Sequence, residues 1–337
     1  MKKLKIVILG DGRIGRAAEF FLKKYILGAE VSFLKRDSQA KDCALLIGAL
    51  PGELGEKCLK LALRYKKNLV DISDVDPPFY LRQRRQIERA GITVIPECGF
   101  SPGLVNFLIG RELSVLKRFD SVEVKAGSLS KKKNHFPFLW CFEDLILEHR
   151  IPSWQLLGGK KKKFPPFSGL REERFSGIDA ETYLCASGFE HLLSLSKADD
   201  FTCRVIRPRG FKDFFGFLDN HGFLKEEFFA STKGMLEAAS EDNFTLGEIN
   251  ITSRGLRLTW QISSFSRKGE TLNSMQKITA SVPAIAAKWI MQGRLSKGGL
   301  CFMEDLGQDK NNFNLLLLEI KKFGVILKRH TTRVKND

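Results

Sequence analysis

The chain has 337 residues, 43% of them hydrophobic, and a formal net charge of +16. That length gives room for about two domains of roughly 150 residues, and the apolar fraction is normal for a globular protein that buries a core. No apolar run reaches the roughly 18 residues needed to span a membrane, and the stretch Leu4–Leu9 is too short for a signal-peptide core, so the expectation is a soluble cytoplasmic protein with no membrane partner.

Seven cysteines (Cys43, Cys58, Cys98, Cys141, Cys185, Cys203 and Cys301) are dispersed without CxxC spacing. They suggest neither a metal site nor a disulfide framework. The positive charge alone would suit a nucleic acid. The lysine clusters Lys131–Lys133 and Lys160–Lys163 sit beside loop-like sequence, however, and no DNA- or RNA-binding motif accompanies them. A solvated basic surface is expected rather than a nucleic-acid partner.

The first third alternates short β-branched runs with amphipathic helical runs, the order of a parallel sheet with crossover helices. Lys5–Leu9 reads as a buried strand. Ile14–Tyr25 puts Ile14, Ala17, Ala18, Phe21 and Leu22 on one helical face. Strands follow at Glu30–Leu34 and Ala44–Ala49, then a helix at Gly55–Tyr65. Asn68–Ile72 is a strand, Phe79–Ala90 a charged helix, Ile92–Pro96 a strand, and Gly103–Leu116 an apolar helix. Only about ten mostly polar residues separate the second strand from Ala44, whereas a full crossover unit needs around 30. The sheet is therefore expected to be shortened on one edge.

Beyond residue 118 the pattern changes. Phe119–Ala126 reads as a strand, Ile151–Gly169 as a long connection or hairpin rich in Pro, Gly and Lys, and Phe244–Ile251 with Gly255–Ser264 as antiparallel strands. Val282–Gln292 reads as a helix capped by Gly293, Leu315–Lys322 as a final helix, and Gly324–Leu327 as a candidate edge strand. The expected class is α/β: a Rossmann-type parallel sheet formed by residues 1–117 and 283–330, and an α+β mixed-sheet domain over 118–282.

Gly10-Asp11-Gly12-Arg13-Ile14-Gly15 is GxGxxG, directly after a strand and directly before a helix. In that setting the first glycine permits the tight turn, the second lets a pyrophosphate approach the backbone, and the third lets helix and strand pack closely. The helix start supplies N–H groups and partial positive charge for the phosphate. A glycine turn without a ligand is the competing reading. After the second strand stand Lys35 and Arg36, where an NAD-binding protein would carry an acid for the ribose. The cation pair favours NADP. Asp37, a position or two late, keeps NAD as the alternative.

Ligands of open α/β sheets bind outside the carboxyl ends of the strands. Those ends read Ala49-Leu50-Pro51, Asp71-Ile72-Ser73-Asp74 and Glu97-Cys98-Gly99, the last running on through Phe100-Ser101-Pro102-Gly103. Ala49, Leu50 and Pro51 join Gly10, Gly12, Arg13, Ile14, Gly15, Lys35 and Arg36 as candidate coenzyme contacts. Glu97 and Asp74 are the acid/base candidates, because oxidising an amine needs a proton acceptor near the reacting nitrogen. Ser73 and Ser101 could hydrogen-bond the head of a substrate. For each of these a structural role competes.

The stretches IGALPG (47–52), VDISD (70–74) and ECGFSPGLVN (97–106) resemble signature segments of saccharopine dehydrogenase-like proteins, in the manner of lysine 6-dehydrogenase. FLWCFEDLILEH (138–149), RVIRPRGF (204–211) and SMQKITASVPAIAAKWIMQGRLSKGG (274–299) extend the resemblance over nearly the whole chain. It implies NAD(P)-dependent oxidoreductase chemistry at a C–N bond of an amino-acid substrate such as lysine or saccharopine. It implies too a second domain whose mixed sheet covers the cleft, and a homodimer.

Arg207 matches a family arginine associated with the substrate carboxylate, with Arg209 as a neighbour. Trp140 and Cys141 would wall the pocket, against a competing role in packing. The chain departs from the family at the shortened unit after Arg36, at Ala126–Ser130, at Phe211 where relatives carry histidine or an equivalent, and at Cys141 where serine is common. Those departures keep open a catalytically degenerate, nucleotide-binding scaffold.

Overall fold

The computed structural model describes residues 4–133, 135–185, 189–238, 242–295 and 298–333. In chain order, β1 (Leu4–Leu9), α1 (Arg13–Tyr25), β2 (Ala29–Phe33), β3 (Leu45–Gly48), α2 (Gly52–Tyr65), β4 (Asn68–Asp71), α3 (Pro77–Ala90), β5 (Thr93–Ile95) and α4 (Leu104–Leu116) come first. There follow β6 (Ser121–Ser130), α5 (Phe142–Glu148), β7 (Ser153–Leu157), β8 (Lys160–Phe164), β9 (Arg171–Phe175), β10 (Ile178–Leu184), α6 (Glu190–Ser196), β11 (Asp200–Pro208), α7 (Phe211–Asn220) and α8 (Glu226–Ala238). The chain ends with β12 (Asn243–Ser253), β13 (Leu256–Ser266), α9 (Ser274–Met291), β14 (Gly299–Leu300), α10 (Met303–Gln308), α11 (Lys310–Ile320) and β15 (Val325–Arg333).

Two compact units divide these elements. The first comprises Met1–Arg118, Gly188–Lys197 and Gln276–Phe323; the second comprises Phe119–Ser187, Ala198–Met275 and Gly324–Asp337. The sequence reading had carried the first unit to residue 330 and given 188–197 to the second. β15 instead pairs with β13 in the second sheet, and α6 belongs to the first unit.

The first unit is built on a six-stranded sheet in the order β14-β5-β4-β3-β1-β2, parallel at every pairing. Strands buried on both faces must be apolar throughout, and Ile6, Val7, Ile8, Leu9 and Leu45, Leu46, Ile47 are all buried. β2 lies at the edge with an alternating face. Between β2 and β3 the chain makes only a 3-10 turn, Asp37–Asp42, so the helix–strand pair that would extend this edge is absent. The fold is a Rossmann-type α/β sheet, shortened where the spacing of the sequence required. Because every strand is parallel, the carboxyl ends of β1, β3, β4 and β5 open on one side.

α9 begins at Ser274, eight residues before the periodicity suggested, with Pro283 inside it. Proline is poorly tolerated in a helix interior, but burial of Ile278, Ala280, Val282, Ala284 and Ile285 holds the helix through Pro283. That apolar contact offsets a proline cost of about 3 kcal/mol.

The second unit carries a mixed sheet in the order β15-β13-β12-β6-β11-β10-β9, with β7 on β11 and β8 on β7. β6 and β11 are parallel and the other neighbours antiparallel. β12 alternates buried and half-buried residues from Leu246 onward, the period of a strand with one packed face. The lysine-rich segment resolves as the hairpin β7–β8, turned at Gly158 and Gly159 with φ of 60° and 70°. Two positive values are what a two-residue hairpin turn requires. α5 and α7 pack Phe142, Leu145, Phe211, Phe215 and Leu218 into an aromatic core with Phe138 and Tyr183.

Candidate functional site

The β1–α1 loop is shaped by close approach. Gly10 has φ +107°, and a Cβ there would stand 2.1 Å from the Ala49 carbonyl oxygen. A Cβ on Gly15 would stand 2.0 Å from the Gly10 carbonyl oxygen. No side chain larger than hydrogen fits either position. Gly12 differs: it caps α1 without a side-chain hydrogen bond, and no atom lies within 4 Å of where its Cβ would be. The helix start, with its N–H groups and partial positive charge, thus faces open space in front of Gly12. This is the form of a pyrophosphate cradle, and the glycines present fit the group that the motif calls for.

At the end of β2, Lys35 and Arg36 are exposed, and both backbone N–H groups donate to Gln39 Oε1, at 2.6 and 3.0 Å. Gln39 fixes the turn that presents the two cations. Asp37, the alternative ribose contact, lies 3.5 Å from Lys57.

Ala49, Leu50 and Pro51 line the β3 end beside Gly10, half-buried. Ser73 is buried, and its hydroxyl accepts the Leu50 N–H at 3.1 Å. It thus ties this loop to the end of β4. Asp71 was missed as a polar anchor. Its carboxylate accepts the Ser73 N–H at 2.9 Å and the Tyr80 hydroxyl at 2.8 Å, and burial raises it to about 6.

Past β5, Glu97 adopts the left-handed conformation, φ 51°, and is only 4% exposed. Among the described residues neither carboxyl oxygen has a hydrogen-bond partner. Burial first, then the charges of Glu304, Glu190, Asp74 and Asp76, push it well above the usual carboxyl range. Asp74, the second acid/base candidate, is exposed, and Ser101 is half-buried in the loop that leads to α4. The structure thus brings Glu97 and Asp74 into one electrostatic neighbourhood.

Three residues that the sequence reading gave no role join them. Glu304, 1% exposed, places Oε1 2.9 Å from His191 Nδ1 and accepts from Asn106 Nδ2 at 3.4 Å. His191 stacks on Phe302 with ring centroids 4.0 Å apart. A separation of 113 residues between His191 and Glu304 leaves no local signal for this pair.

In the second unit Arg207 lies on β11, buried, with Nη2 donating to Glu148 at 2.9 Å and no partner for Nε among the described residues. The guanidinium expected to clamp a substrate carboxylate already holds an internal one. Arg209 pairs with Glu172 on the surface. Trp140 is half-buried against the aromatic core of this unit. Within that core His149 bridges the Leu145 carbonyl and the Tyr183 hydroxyl, both at 2.7 Å, and burial lowers it to about 4. Among the described residues no group of three or more His, Cys, Asp or Glu could hold a metal ion, and no helix is long and apolar enough to cross a membrane.

A parallel sheet with a glycine cradle at the first strand–helix turn defines a dinucleotide-binding fold. The family model described as the saccharopine dehydrogenase C-terminal domain matches residues 99–325. The chain belongs to the saccharopine dehydrogenase family. Among solved structures it is similar to apo saccharopine dehydrogenase (L-Glu forming) from Saccharomyces cerevisiae, with 16% identity and a TM-score of 0.75 over 98% of this chain and 100% of that one. That likeness extends the shared fold over both units. An engineered D-amino acid dehydrogenase bound to NADP+ also matches, with 12% identity and a TM-score of 0.47 over 94% of this chain and 99% of that one.

Proposed function

We propose that this chain is an NAD(P)-dependent oxidoreductase acting at a carbon–nitrogen bond of an amino acid or opine-like amine of the lysine or saccharopine class, with NADP as its preferred coenzyme. The observation that carries the reading is the cradle before α1, where Gly10 and Gly15 admit no side chain and Gly12 faces open space. Family membership supports the choice of C–N chemistry. The coenzyme, when bound, supplies or accepts a hydride.

The chain's own residues do the rest. The backbone of Gly10, Gly12 and Gly15 and the first amides of α1, at Arg13 and Ile14, receive the pyrophosphate. Lys35 and Arg36 receive the 2′-phosphate as charge-assisted hydrogen-bond donors. Ala49–Pro51 wall the coenzyme, and Glu97 exchanges a proton with the substrate nitrogen.

The test is a titration with NADPH and NADH, following energy transfer from tryptophan to the dihydronicotinamide. Binding is expected to be tighter for NADPH and lost in Gly12→Asp. Binding of neither coenzyme to the unaltered protein would overturn the reading. Turnover is then measured with lysine and with saccharopine in the presence of NADP+.

A second reading has one observation in its favour: Arg207 is neutralised by Glu148 in a buried setting. A coenzyme-binding member that has lost catalysis would bind NADPH and leave both substrates unchanged.

A further inference from the structure

Where a full dinucleotide fold carries a helix and a further strand after β2, this chain carries the 3-10 turn Asp37–Asp42. The turn is packed at its centre and pinned at its start. Ala40 is fully buried and joins Cys58, Leu61 and Ala62 of α2 in one apolar cluster. Gln39 Oε1 accepts the N–H groups of Lys35 and Arg36. With the helix–strand pair absent, the turn lies against α2. That helix starts at Gly52, directly after Ala49–Pro51, so it rises from the loop that packs against the glycine cradle.

The contact brings a cation of α2 to the end of β2. Lys57 Nζ stands 3.5 Å from Asp37 Oδ1, with both side chains about half exposed. An ion pair this wet adds little to stability. Its consequence is for the carboxylate. Glu56, the neighbouring acid on α2, is tied to Lys60 at 3.0 Å. Asp37 is thus answered by Lys57, and Lys35 and Arg36 are left without an acidic partner among the described residues. The two nicotinamide coenzymes differ at this point in the opposite sense. The ribose of NAD offers hydroxyls, which a free carboxylate accepts, whereas the 2′-phosphate of NADP is an anion, which a free carboxylate repels.

We propose that Lys57 is the specificity-determining residue of the coenzyme site. It engages Asp37, so that the carboxylate neither accepts the ribose hydroxyls of NAD nor repels the 2′-phosphate of NADP, and Lys35 and Arg36 receive that phosphate. The inference rests on the reading above that the chain binds a nicotinamide coenzyme at the cradle before α1.

The experiment is a titration of the full chain with NADPH and with NADH, followed by energy transfer from tryptophan. It compares wild type, Lys57→Ala, Lys57→Arg, Asp37→Asn and the double variant Lys57→Ala/Asp37→Asn. Lys57→Ala is expected to tighten NADH and weaken NADPH, lowering the preference for NADPH by about tenfold or more, the scale of one hydrogen bond to a charged group. Lys57→Arg keeps the charge and should keep the wild-type preference. The sign of the NADH change is what separates this role from plain attraction, because a lysine that only draws in an anionic coenzyme weakens both when it is removed. With Asn at position 37 there is no carboxylate to release, so adding Lys57→Ala should not tighten NADH. An unchanged preference in Lys57→Ala, a parallel loss of both coenzymes, or tighter NADH binding that persists without Asp37 overturns the proposal. A wild type that prefers NADH overturns it too and leaves the cradle standing. A wild type that binds neither coenzyme overturns the functional reading together with the proposal.

Discussion

The Tyr80 hydroxyl donates to the Asp71 carboxylate at 2.8 Å, joining α3 to the end of β4 in the interior of the parallel-sheet unit. Burial holds Asp71 at about 6 in the fold, above its ordinary 3.8. The native state therefore keeps this proton longer than the unfolded chain does. The stability that the group contributes is complete below about pH 4 and is lost as pH rises through about 6, a swing on the order of 3 kcal/mol. Urea midpoints measured from pH 4 to 7 should fall more steeply in the wild type than in Asp71→Asn. Parallel curves for the two proteins would count against a buried, proton-holding Asp71.

His149 has the opposite sign. Burial lowers it from 6.5 to about 4, and it is neutral between the Leu145 carbonyl and the Tyr183 hydroxyl. Here the unfolded chain binds the proton first. Stability is complete above about pH 6.5 and is lost as pH falls toward 4, by on the order of 3 kcal/mol. The His149 ring signal in a proton NMR titration should not move above pH 5, and His149→Phe should remove this part of the acid sensitivity. A midpoint near 6.5 would mean that the ring is wet.

Much of the first unit was legible in the sequence. Strands buried on both faces read as unbroken apolar runs, as at Ile6–Leu9, and the glycine spacing announced the loop between strand and helix. β15 was seen only at its first residues, because Leu327–Arg333 is an exposed, charged edge without an alternating face. α7 and α8 drew no reading, although Phe211, Phe215 and Leu218 are spaced for one helical face. Glu97 could be named from its place at a strand end, but its left-handed backbone and lack of donors are tertiary facts. Glu304 and His191 meet only after α6 and α10 return to the sheet. The tie from Ser73 to Leu50 was not legible, because a hydroxyl at a cleft position looks the same in sequence whether it meets a ligand or holds a loop.

The proposed preference for NADP rests on the cations after β2. Arg36 and Lys35 are exposed, and their backbone is tied to Gln39. Hydrogen bonds to charged groups contribute about 1.5–3 kcal/mol each, so Arg36→Ser should weaken NADPH binding about tenfold or more while leaving NADH nearly unchanged. Fluorescence titration of the variant with both coenzymes measures the ratio. An equal loss for both would show that Arg36 supports the loop and does not read the 2′-phosphate.

The contact between α4 and α10 admits no methyl group. At Gly110 a Cβ would meet the Glu304 carbonyl carbon at 2.7 Å as well as its oxygen at 2.1 Å, and backbone cannot swing aside as a side-chain tip can. Gly110→Ala must therefore push α10 away from α4. Overpacking of this kind costs about 1–3 kcal/mol, and the displacement also carries Glu304 away from Asn106. The thermal midpoint should drop. Gly216→Ala, on α7 with no atom within 4 Å of its Cβ, is the control. It should leave the midpoint in place. A Gly110→Ala protein that keeps the wild-type melting temperature would show that α10 is not seated against α4.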